Sequence, residues 1–188
     1  MSEPPNVLVT GGAGYIGSHT CLALSRASYL PVTYDNLSTG HRSAVKWGPL
    51  VVADLADHAR LEEVLRETRP VGIIHFAGFI AVGESVVDPG RYYLNNVGAS
   101  LTLIEAARQA QTPLIFSSSA AVYGHPAEAL IPESHPLAPL SPYGHSKRMI
   151  EQVIADYGHA YGMRYALLRY FNAAGADPEG QLGETHEP

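Results

Sequence analysis

Short apolar runs alternate with helical patterns along most of the chain, and this alternation limits the possible fold more than any other feature. The runs are continuously apolar, which is typical of strands that are covered on both faces of a parallel sheet. Strands are predicted at residues 7–9, 30–34, 50–52, 72–75, 114–116 and 165–168, and helices at 15–28, 61–69, 91–109 and 143–161. Right-handed crossovers then give an α/β fold with a doubly wound parallel sheet, the Rossmann fold.

The regular pattern ends close to residue 174. We therefore expect residues 1–174 to form one domain. Residues 175–188 contain glycine, proline and charged residues with no strand or helix period, and we interpret them as the start of a truncated further region. Five prolines fall within residues 126–142, which predicts a long irregular loop of the kind that is often functional.

The composition excludes several classes of protein. With 46% hydrophobic and 16% charged residues the chain is globular, and a net charge of -6 counts against nucleic acid or an anionic membrane as a partner. Cys21 is the one cysteine, which excludes an internal disulfide and fits a cytoplasmic protein. The nine histidines lack metal-ligand spacing, so no metal site is expected. Neither a signal peptide nor a membrane span is recognisable.

A glycine-rich turn follows the first predicted strand and precedes the first helix. Its sequence is Thr10-Gly-Gly-Ala-Gly-Tyr-Ile-Gly17. Gly11 permits a tight turn, Gly14 lets a pyrophosphate approach the backbone, and Gly17 lets the helix pack closely on the strand. The N–H groups and the helix dipole at such a turn attract phosphates. The spacing departs from the usual dinucleotide fingerprint, and a structural turn is the alternative, but strand, turn and helix occur together and indicate a dinucleotide site.

Acidic and small residues follow the next strands. Asp35 ends the second strand, where a carboxylate accepts hydrogen bonds from an adenosine ribose and repels a 2′-phosphate, which favours NAD over NADP. A turn or capping role is the alternative. Asp54 follows the third strand and either reaches the adenine amino group or caps a helix. The small residues of Phe76-Ala-Gly78, after the fourth strand, leave room for a dinucleotide.

A tyrosine and a lysine lie four residues apart at the start of the last predicted helix. Ser141 is a favourable N-cap and Pro142 a favourable first residue, so Tyr143 and Lys147 share one helix face. A neighbouring ammonium and a bound cationic nicotinamide favour the tyrosinate. Tyr143 can then act as a general base, while Lys147 holds the nicotinamide ribose. The serines at 117–119 end the fifth strand, where a hydroxyl can bond to the same substrate group.

The glycine turn and the Tyr143-x-x-x-Lys147 pair resemble those of extended short-chain dehydrogenases/reductases. Longer strings are similar to those of UDP-glucose 4-epimerases over nearly the whole chain. These strings are Gly17-Ser-His-Thr20, Asp35-Asn-Leu37, His75-Phe-Ala-Gly78, Ala81-Val-Gly-Glu-Ser85, Tyr92-Tyr-x-Asn-Asn96, Phe116-Ser-Ser-Ser119, Val122-Tyr-Gly124 and Leu168-Arg-Tyr-Phe-Asn172.

The resemblance implies an NAD-dependent isomerase that interconverts UDP-glucose and UDP-galactose at C4 through a 4-keto intermediate. Tyr143 would be the base, Lys147 its partner, and Ser119 would orient the 4-hydroxyl of the sugar. Ser119, Tyr143 and Asn172 would contact the UDP-sugar. NAD would be surrounded by Gly11, Gly12, Gly14, Tyr15, Ile16, Gly17, Asp35, Asn36, Asp54, Leu55, Phe76, Ala77, Gly78, Asn95, Ser117, Tyr143, Lys147 and Phe171.

The resemblance also implies a homodimer formed through helices 91–109 and 143–161. It makes residues 175–188 the start of a substrate-binding region, and it implies that the chain stops before the lobe that binds the uridine nucleotide. We therefore expect the isolated chain to bind NAD weakly or partly and to show little epimerase activity.

Two departures from the family pattern affect the predicted function. Ile80 stands where relatives often carry a lysine near the pyrophosphate, which predicts weaker retention of NAD. Ala121 replaces a frequent threonine, a milder change. Two alternatives remain open: an inactive NAD-binding fragment, and a sugar-nucleotide 4,6-dehydratase. A dehydratase needs an acidic pair after the strand-end hydroxyl, whereas Ser119 is followed by Ala120-Ala121, which favours an epimerase.

Overall fold

Six parallel strands form one sheet, with the spatial order β3-β2-β1-β4-β5-β6. The computed structural model describes residues 3–126 and 130–185. The strands are β1 (Asn6–Thr10), β2 (Leu30–Asp35), β3 (Leu50–Val52), β4 (Gly72–His75), β5 (Leu114–Ser119) and β6 (Tyr165–Tyr170). This order is that of the Rossmann fold and confirms the predicted fold class.

The helices cover both faces of the sheet. They are α1 (Tyr15–Arg26), α2 (His58–Thr68), α3 (Val82–Val87), α4 (Pro89–Tyr92), α5 (Ala99–Gln109) and α6 (Pro142–Tyr161). Leu8 of β1 belongs to the large buried cluster that includes side chains of α2, α5 and α6. Its neighbours Val7 and Val9 pack on the opposite face with Cys21 of α1. A strand sends successive side chains to opposite faces, so continuously apolar strands are what a sheet covered on both sides requires.

The predicted helix at 91–109 is not one regular helix. The chain forms α4, then a π-helix at Tyr93–Gly98, then α5. A π segment inserts an extra residue into the helical ladder, and such segments are frequent at functional sites. The sequence period does not reveal it, because the apolar spacing on either side is still helical.

Helix boundaries differ from the predictions where local capping decides them. α2 begins at His58, three residues before the predicted start, because the Asp57 carboxylate accepts a hydrogen bond from the Arg60 N–H at 3.0 Å. α1 ends at Arg26, because Ser28 has a left-handed φ of 63°. α3 was not predicted, because its six residues are too few to show a helical period. Short 3₁₀ helices at Arg42–Ala44 and Ala120–Tyr123 were also not predicted.

The proline-rich stretch at 126–142 contains no helix or strand before Pro142 among its described residues, as predicted, while residues 127–129 lie outside the described part. Described residues 171–185 likewise contain no helix or strand. None of the helices in the described ranges has both the length and the apolar character that crossing a membrane requires.

Candidate dinucleotide and catalytic site

A cavity of about 1100 Å³ lies at the carboxyl ends of the strands. β1 is flanked there by β2 and β4, so the chain leaves the sheet in opposite directions on the two sides of β1. In open α/β sheets, ligands bind at this switch point. With the exception of Gly12, every residue predicted to contact cofactor or substrate contributes to the cavity wall.

The four glycines of the turn have different surroundings. Gly11 has a φ of +71°, and a Cβ there would lie 2.6 Å from the Ala77 nitrogen. A Cβ on Gly17 would lie 2.2 Å from the Gly11 oxygen, so close packing of helix on turn requires glycine. A Cβ on Gly12 would meet the Thr33 side chain at 2.9 Å, so Gly12 packs inward, away from the cavity.

Gly14 differs from the other three because a Cβ there would meet protein no closer than 3.4 Å, at the Gly11 oxygen. It is also the N-cap residue of α1 and forms part of the cavity wall. Without a side chain it cannot cap the helix itself, and it leaves space beside the first turn. The free space can accommodate a pyrophosphate, and the backbone N–H groups at the start of a helix can bind it.

Asp35 lies at the end of β2 and is 8% exposed. Its Oδ2 accepts a hydrogen bond from the Ala13 N–H at 3.0 Å, and its Oδ1 accepts one from the Leu37 N–H at 2.8 Å. The carboxylate therefore has the turn role considered for Asp35, and it also lines the cavity. Each oxygen has a further lone pair with which to accept a ribose hydroxyl.

Asp54 is hydrogen bonded to Asn36 at the end of the cavity that contains Asp35. The Asn36 side-chain amide donates to Asp54 Oδ2 at 2.8 Å, and Asp54 Oδ1 accepts the Ala56 N–H at 2.9 Å. Because Asp57 is the N-cap residue of α2, Asp54 does not have that alternative role. Asn36, Asp54 and Leu55 form neighbouring parts of the wall, as expected for an adenosine site.

Tyr143, Lys147 and Ser119 meet at the other end of the cavity. The Ser141 hydroxyl caps α6 by accepting the Gly144 N–H at 3.1 Å, which places Tyr143 in the first turn. Tyr143 and Ser119 both line the cavity, and the Ser119 side chain lowers the pKa of the Tyr143 phenol. Lys147, 3% exposed, donates from Nζ to the Ser117 carbonyl oxygen at 2.9 Å. The structure thus brings together the predicted catalytic side chains.

Burial controls the ionisation of this pair. It raises the pKa of the Tyr143 phenol, and the Ser119 side chain partly offsets this effect. Burial also lowers the pKa of Lys147 to about 8. The Lys147 Nζ lies 5.9 Å from the centroid of the Tyr143 ring, and its charge does not reverse the effect of burial. The positive charge of a bound nicotinamide would favour ionisation of Tyr143 against this effect of burial.

Buried polar side chains that were not predicted connect α6 to the loop after β4 and to α3. Asn96 and Ser146 are buried at 2% and 0% exposure, and they connect the Phe79 backbone to α6. The Ser85 hydroxyl accepts the Tyr143 N–H at 3.2 Å. Asn96 and Ser85 both occur in the sequence motifs that resemble the family. A single polar residue in a sequence, however, does not indicate that its side chain points into the protein.

Phe171 and Asn172, which follow β6, also line the cavity. Further wall residues that were not predicted include Ser38, Thr39, Gly40, His41, Ser43, Ala44, Lys46, Gln181, Leu182, Gly183, Glu184 and Thr185. The described ranges contain no cluster of His, Cys, Asp and Glu able to hold a metal ion.

A doubly wound sheet with an open glycine turn, an acid at the end of β2 and a tyrosine–lysine pair at the same edge defines a dinucleotide-binding protein of the short-chain dehydrogenase/reductase class. The comparisons with known proteins are more specific. The profile of the NAD dependent epimerase/dehydratase family matches residues 7–186, and the chain belongs to this family. The family name agrees with the NAD predicted from Asp35.

Individual relatives are similar over nearly the whole chain. UDP-glucose 4-epimerase of Rhizobium meliloti (strain 1021) is 55% identical over 184 residues, which are 97% of this chain and 56% of the relative. The crystal structure of UDP-glucose 4-epimerase from Brucella ovis in complex with NAD has a TM-score of 0.95 and 54% identity, and the match covers 97% of this chain and 56% of that one.

A third similar structure is a UDP-glucose 4-epimerase from Stenotrophomonas maltophila with bound NAD and formylated UDP-arabinopyranose. Its TM-score is 0.93 at 36% identity, with 97% of this chain and 57% of that chain covered. The present chain thus spans little more than half the length of these relatives.

Proposed function

We propose that this chain is the NAD-binding and catalytic part of a UDP-sugar 4-epimerase that interconverts UDP-glucose and UDP-galactose. One observation carries the proposal. Tyr143, on the same helix as Lys147, lines one cavity with Ser119, Gly14 and Asp35. An ionisable base at one end of a dinucleotide-shaped cavity fits the chemistry of moving a hydride and a proton to and from a sugar carbon.

NAD fits the residues present at each part of the cavity. Gly14 leaves space for the pyrophosphate, Asp35 offers carboxylate oxygens to the adenosine ribose, and Lys147 offers an ammonium to the nicotinamide ribose. Other predicted residues also belong to the cavity wall, among them Tyr15, Ile16, Phe76, Ala77, Gly78 and Asn95. Ile80 also lines it and is 58% exposed, so an apolar side chain occupies the place of the family's lysine.

When bound, NAD supplies reversible acceptance of a hydride from C4 of the sugar. The residues of this chain supply the proton chemistry. Tyr143 takes the proton of the 4-hydroxyl, and Ser119 holds that oxygen in line by hydrogen bonding. Once the 4-keto sugar has rotated in the site, the same hydride would return to the opposite face of C4, and Tyr143 would return the proton to the oxygen. No net oxidation results, so no external reductant is needed.

The arrangement next to Ser119 favours an epimerase over a 4,6-dehydratase. Ala120 and Ala121 follow Ser119 and line the cavity. Elimination of water from C5 and C6 needs an acid and a base near those carbons, and methyl groups supply neither.

We propose UDP-sugars as the substrate class, with Asn172 as a contact at the end of β6. The relatives include an enzyme solved with a UDP-arabinopyranose derivative, so the family accommodates more than one sugar. UDP-glucose is named for the relative that is 55% identical, and inversion at C4 of UDP-glucose gives UDP-galactose.

The proposed organisation is a cofactor domain at residues 1–174 followed by the start of a substrate-binding region at 175–188, of which residues 186–188 lie outside the described part. We also propose a homodimer formed through the segment at 91–109 and α6. Leu94 is 79% exposed, and Leu101 and Met149 are exposed on α5 and α6. Apolar side chains exposed on two adjacent helices fit a second copy of the same surface.

A cytoplasmic location is consistent with the state of Cys21. This residue is buried, and burial raises the pKa of its thiol to about 11, so the thiol remains protonated and unreactive.

The proposal is tested by giving the purified chain NAD and UDP-galactose, then separating the products by chromatography. NAD binding with slow formation of UDP-glucose is expected, and Tyr143→Phe should keep NAD binding but form no UDP-glucose. The wild type and Tyr143→Phe are also compared in a protein extended to the length of the relatives, in which we expect a faster reaction. A stable 4-keto-6-deoxy sugar would identify a dehydratase instead, and wild-type rates in Tyr143→Phe would remove Tyr143 from the mechanism.

A further inference from the structure

Residues 175–185, called here the closing segment, form a compact turn around one buried carboxylate. The side chain of Asp177 is only 1% exposed. Its Oδ2 accepts the Gln181 N–H at 3.2 Å, and its backbone N–H donates to the Leu182 carbonyl oxygen at 3.0 Å. The segment therefore has a defined shape although it contains no helix or strand.

The closing segment packs back onto α1, the helix that follows the glycine-rich turn. The Tyr15 hydroxyl donates to the Gly175 carbonyl oxygen at 2.5 Å. At the other end of the helix, an Arg26 NH2 group lies 3.6 Å from Asp177 Oδ1 and 3.0 Å from Glu179 Oε1. Both ends of α1 thus hold the segment, and Arg26 balances two of its carboxylates.

A second anchor and an apolar contact place the segment at the cavity. Lys46 Nζ donates to the Gln181 carbonyl oxygen at 2.7 Å. Leu182 is 8% exposed, and residues 181–185 together with Lys46 form part of the cavity wall. The segment therefore closes one side of the cavity.

The side of the cavity that the closing segment covers is the side toward β2. The stretch leading to Lys46 is tied to the glycine turn, since the His41 N–H donates to the Ala13 carbonyl oxygen at 3.0 Å, and Ala13 in turn donates to Asp35. Ser119 and Tyr143 belong to the opposite side, beyond β4. A dinucleotide whose ribose meets Asp35 would place its adenosine diphosphate half next to the closing segment.

We propose that the closing segment is part of the dinucleotide site and retains the adenosine diphosphate half of NAD. This inference rests on the proposed function, and it moves residues 175–185 from the substrate-binding region to the cofactor site. Leu182 supplies an apolar wall, and Arg26 keeps the segment in place by pairing with Asp177 and Glu179.

The experiment measures binding of NAD and of ADP to the 188-residue chain by calorimetry. The variants are Arg26→Gln, which removes both ion pairs, and Leu182→Ser, which removes the apolar wall. Arg66→Gln is the matched control, because Arg66 is likewise the basic residue in the last turn of its helix but lies on a groove away from the cavity. Each test variant should raise the Kd of NAD and of ADP by the same factor, about fivefold to tenfold, roughly what one lost apolar or ionic contact is worth.

Several outcomes would overturn the inference, and they are distinguishable. A wild-type chain that binds neither NAD nor ADP removes the proposed function together with the inference. Wild-type Kd values in Arg26→Gln and Leu182→Ser remove the inference alone, as does weaker NAD binding with unchanged ADP binding. Because Arg26 is half exposed, Arg26→Gln keeps the test valid even if Leu182→Ser does not fold. Hydrogen exchange supplies a second measure, since ADP should slow exchange within residues 175–185.

Discussion

The side chain of Asn96 hydrogen bonds to both backbone polar groups of Phe79. Its Oδ1 accepts the Phe79 N–H at 2.8 Å, and its Nδ2 donates to the Phe79 carbonyl oxygen at 3.0 Å. The same Nδ2 lies 3.4 Å from the Ser146 hydroxyl, which donates to the Tyr143 carbonyl oxygen at 2.7 Å. A continuous buried chain therefore connects the loop after β4, on which the cofactor would lie, with the helix that carries the proposed base.

Asn96→Ala should lower both stability and catalysis. The substitution leaves the Phe79 N–H and C=O without this partner, and each such buried group costs about 1–3 kcal/mol. We expect the free energy of unfolding to fall by about 2–4 kcal/mol and kcat to fall more than the affinity for NAD, because Tyr143 loses its alignment with the loop. Urea unfolding and steady-state kinetics measure the two effects.

The neighbouring Asn95→Ala is the control for Asn96→Ala. Asn95 lines the cavity, so its loss should weaken NAD binding with a smaller change in stability. Equal losses of stability in the two variants would contradict the role given to Asn96.

Alanine at Gly14 and at Gly17 should have opposite consequences. Gly14 has a φ of -81°, compatible with alanine, and its Cβ would enter the space beside the pyrophosphate position. Gly14→Ala should therefore fold normally and bind NAD about tenfold more weakly or worse. A Cβ at Gly17 would lie 2.2 Å from a backbone oxygen, so Gly17→Ala should lower the melting temperature. Normal NAD binding by Gly14→Ala would show that the open space does not hold the phosphates.

The sequence predicted those parts of the site that depend on local features. The strand ends placed Asp35 and Ser119 at one edge, and the Ser141 cap placed Tyr143 and Lys147 on one helix face. Other contacts join residues that are distant in sequence: Asn96 and Phe79 are 17 positions apart, and Lys46 and Gln181 are 135 apart. No local sequence pattern predicts these contacts. The folding back of residues 175–185 was missed for the same reason, because the period of a helix or strand carries no information about where a loop packs.

Removing one partner of the buried ion pair between Glu151 and Arg169 should be strongly destabilising. Glu151 is 1% exposed, and Arg169 donates to its two oxygens from Nε and NH2, each at 2.9 Å. The Ser118 hydroxyl donates to the same carboxylate at 2.5 Å, so the pair also supports the strand between Ser117 and Ser119. Removing one partner leaves a buried charge unpaired, and Glu151→Gln should cost about 3–5 kcal/mol of unfolding free energy.

Glu63→Gln provides the comparison for the Glu151 variant. Glu63 pairs with Arg60 on the surface of α2, where both side chains are about 40% exposed. Exposed pairs contribute about 0–1 kcal/mol, so this substitution should change the unfolding free energy little. Similar losses for the two variants in urea unfolding would contradict the importance given to burial.

His75 should make the protein less stable in acid. Its ring is 1% exposed, with Nδ1 2.7 Å from the Thr10 hydroxyl and Nε2 2.8 Å from the Ser100 hydroxyl. Because Ser100 donates its own proton to the Asn96 carbonyl oxygen, Nε2 is the protonated nitrogen and Nδ1 accepts from Thr10. A second ring proton would face the Thr10 donor. Burial, together with the charge of Lys147, lowers the pKa of His75 from 6.5 to about 3.

The sign of the pH dependence follows from this lowered pKa. Between pH 6.5 and about 3 the unfolded chain binds a proton at His75 that the folded protein does not bind. The free energy of unfolding therefore falls as the pH falls through this range, by up to about 1.4 kcal/mol per pH unit from this group. His75→Gln should show a shallower decline than the wild type when urea unfolding is repeated across the range. His58→Gln, in which the replaced ring is about half exposed on α2, should keep the wild-type slope. If His75→Gln and the wild type decline in parallel, His75 is not held neutral in the folded protein.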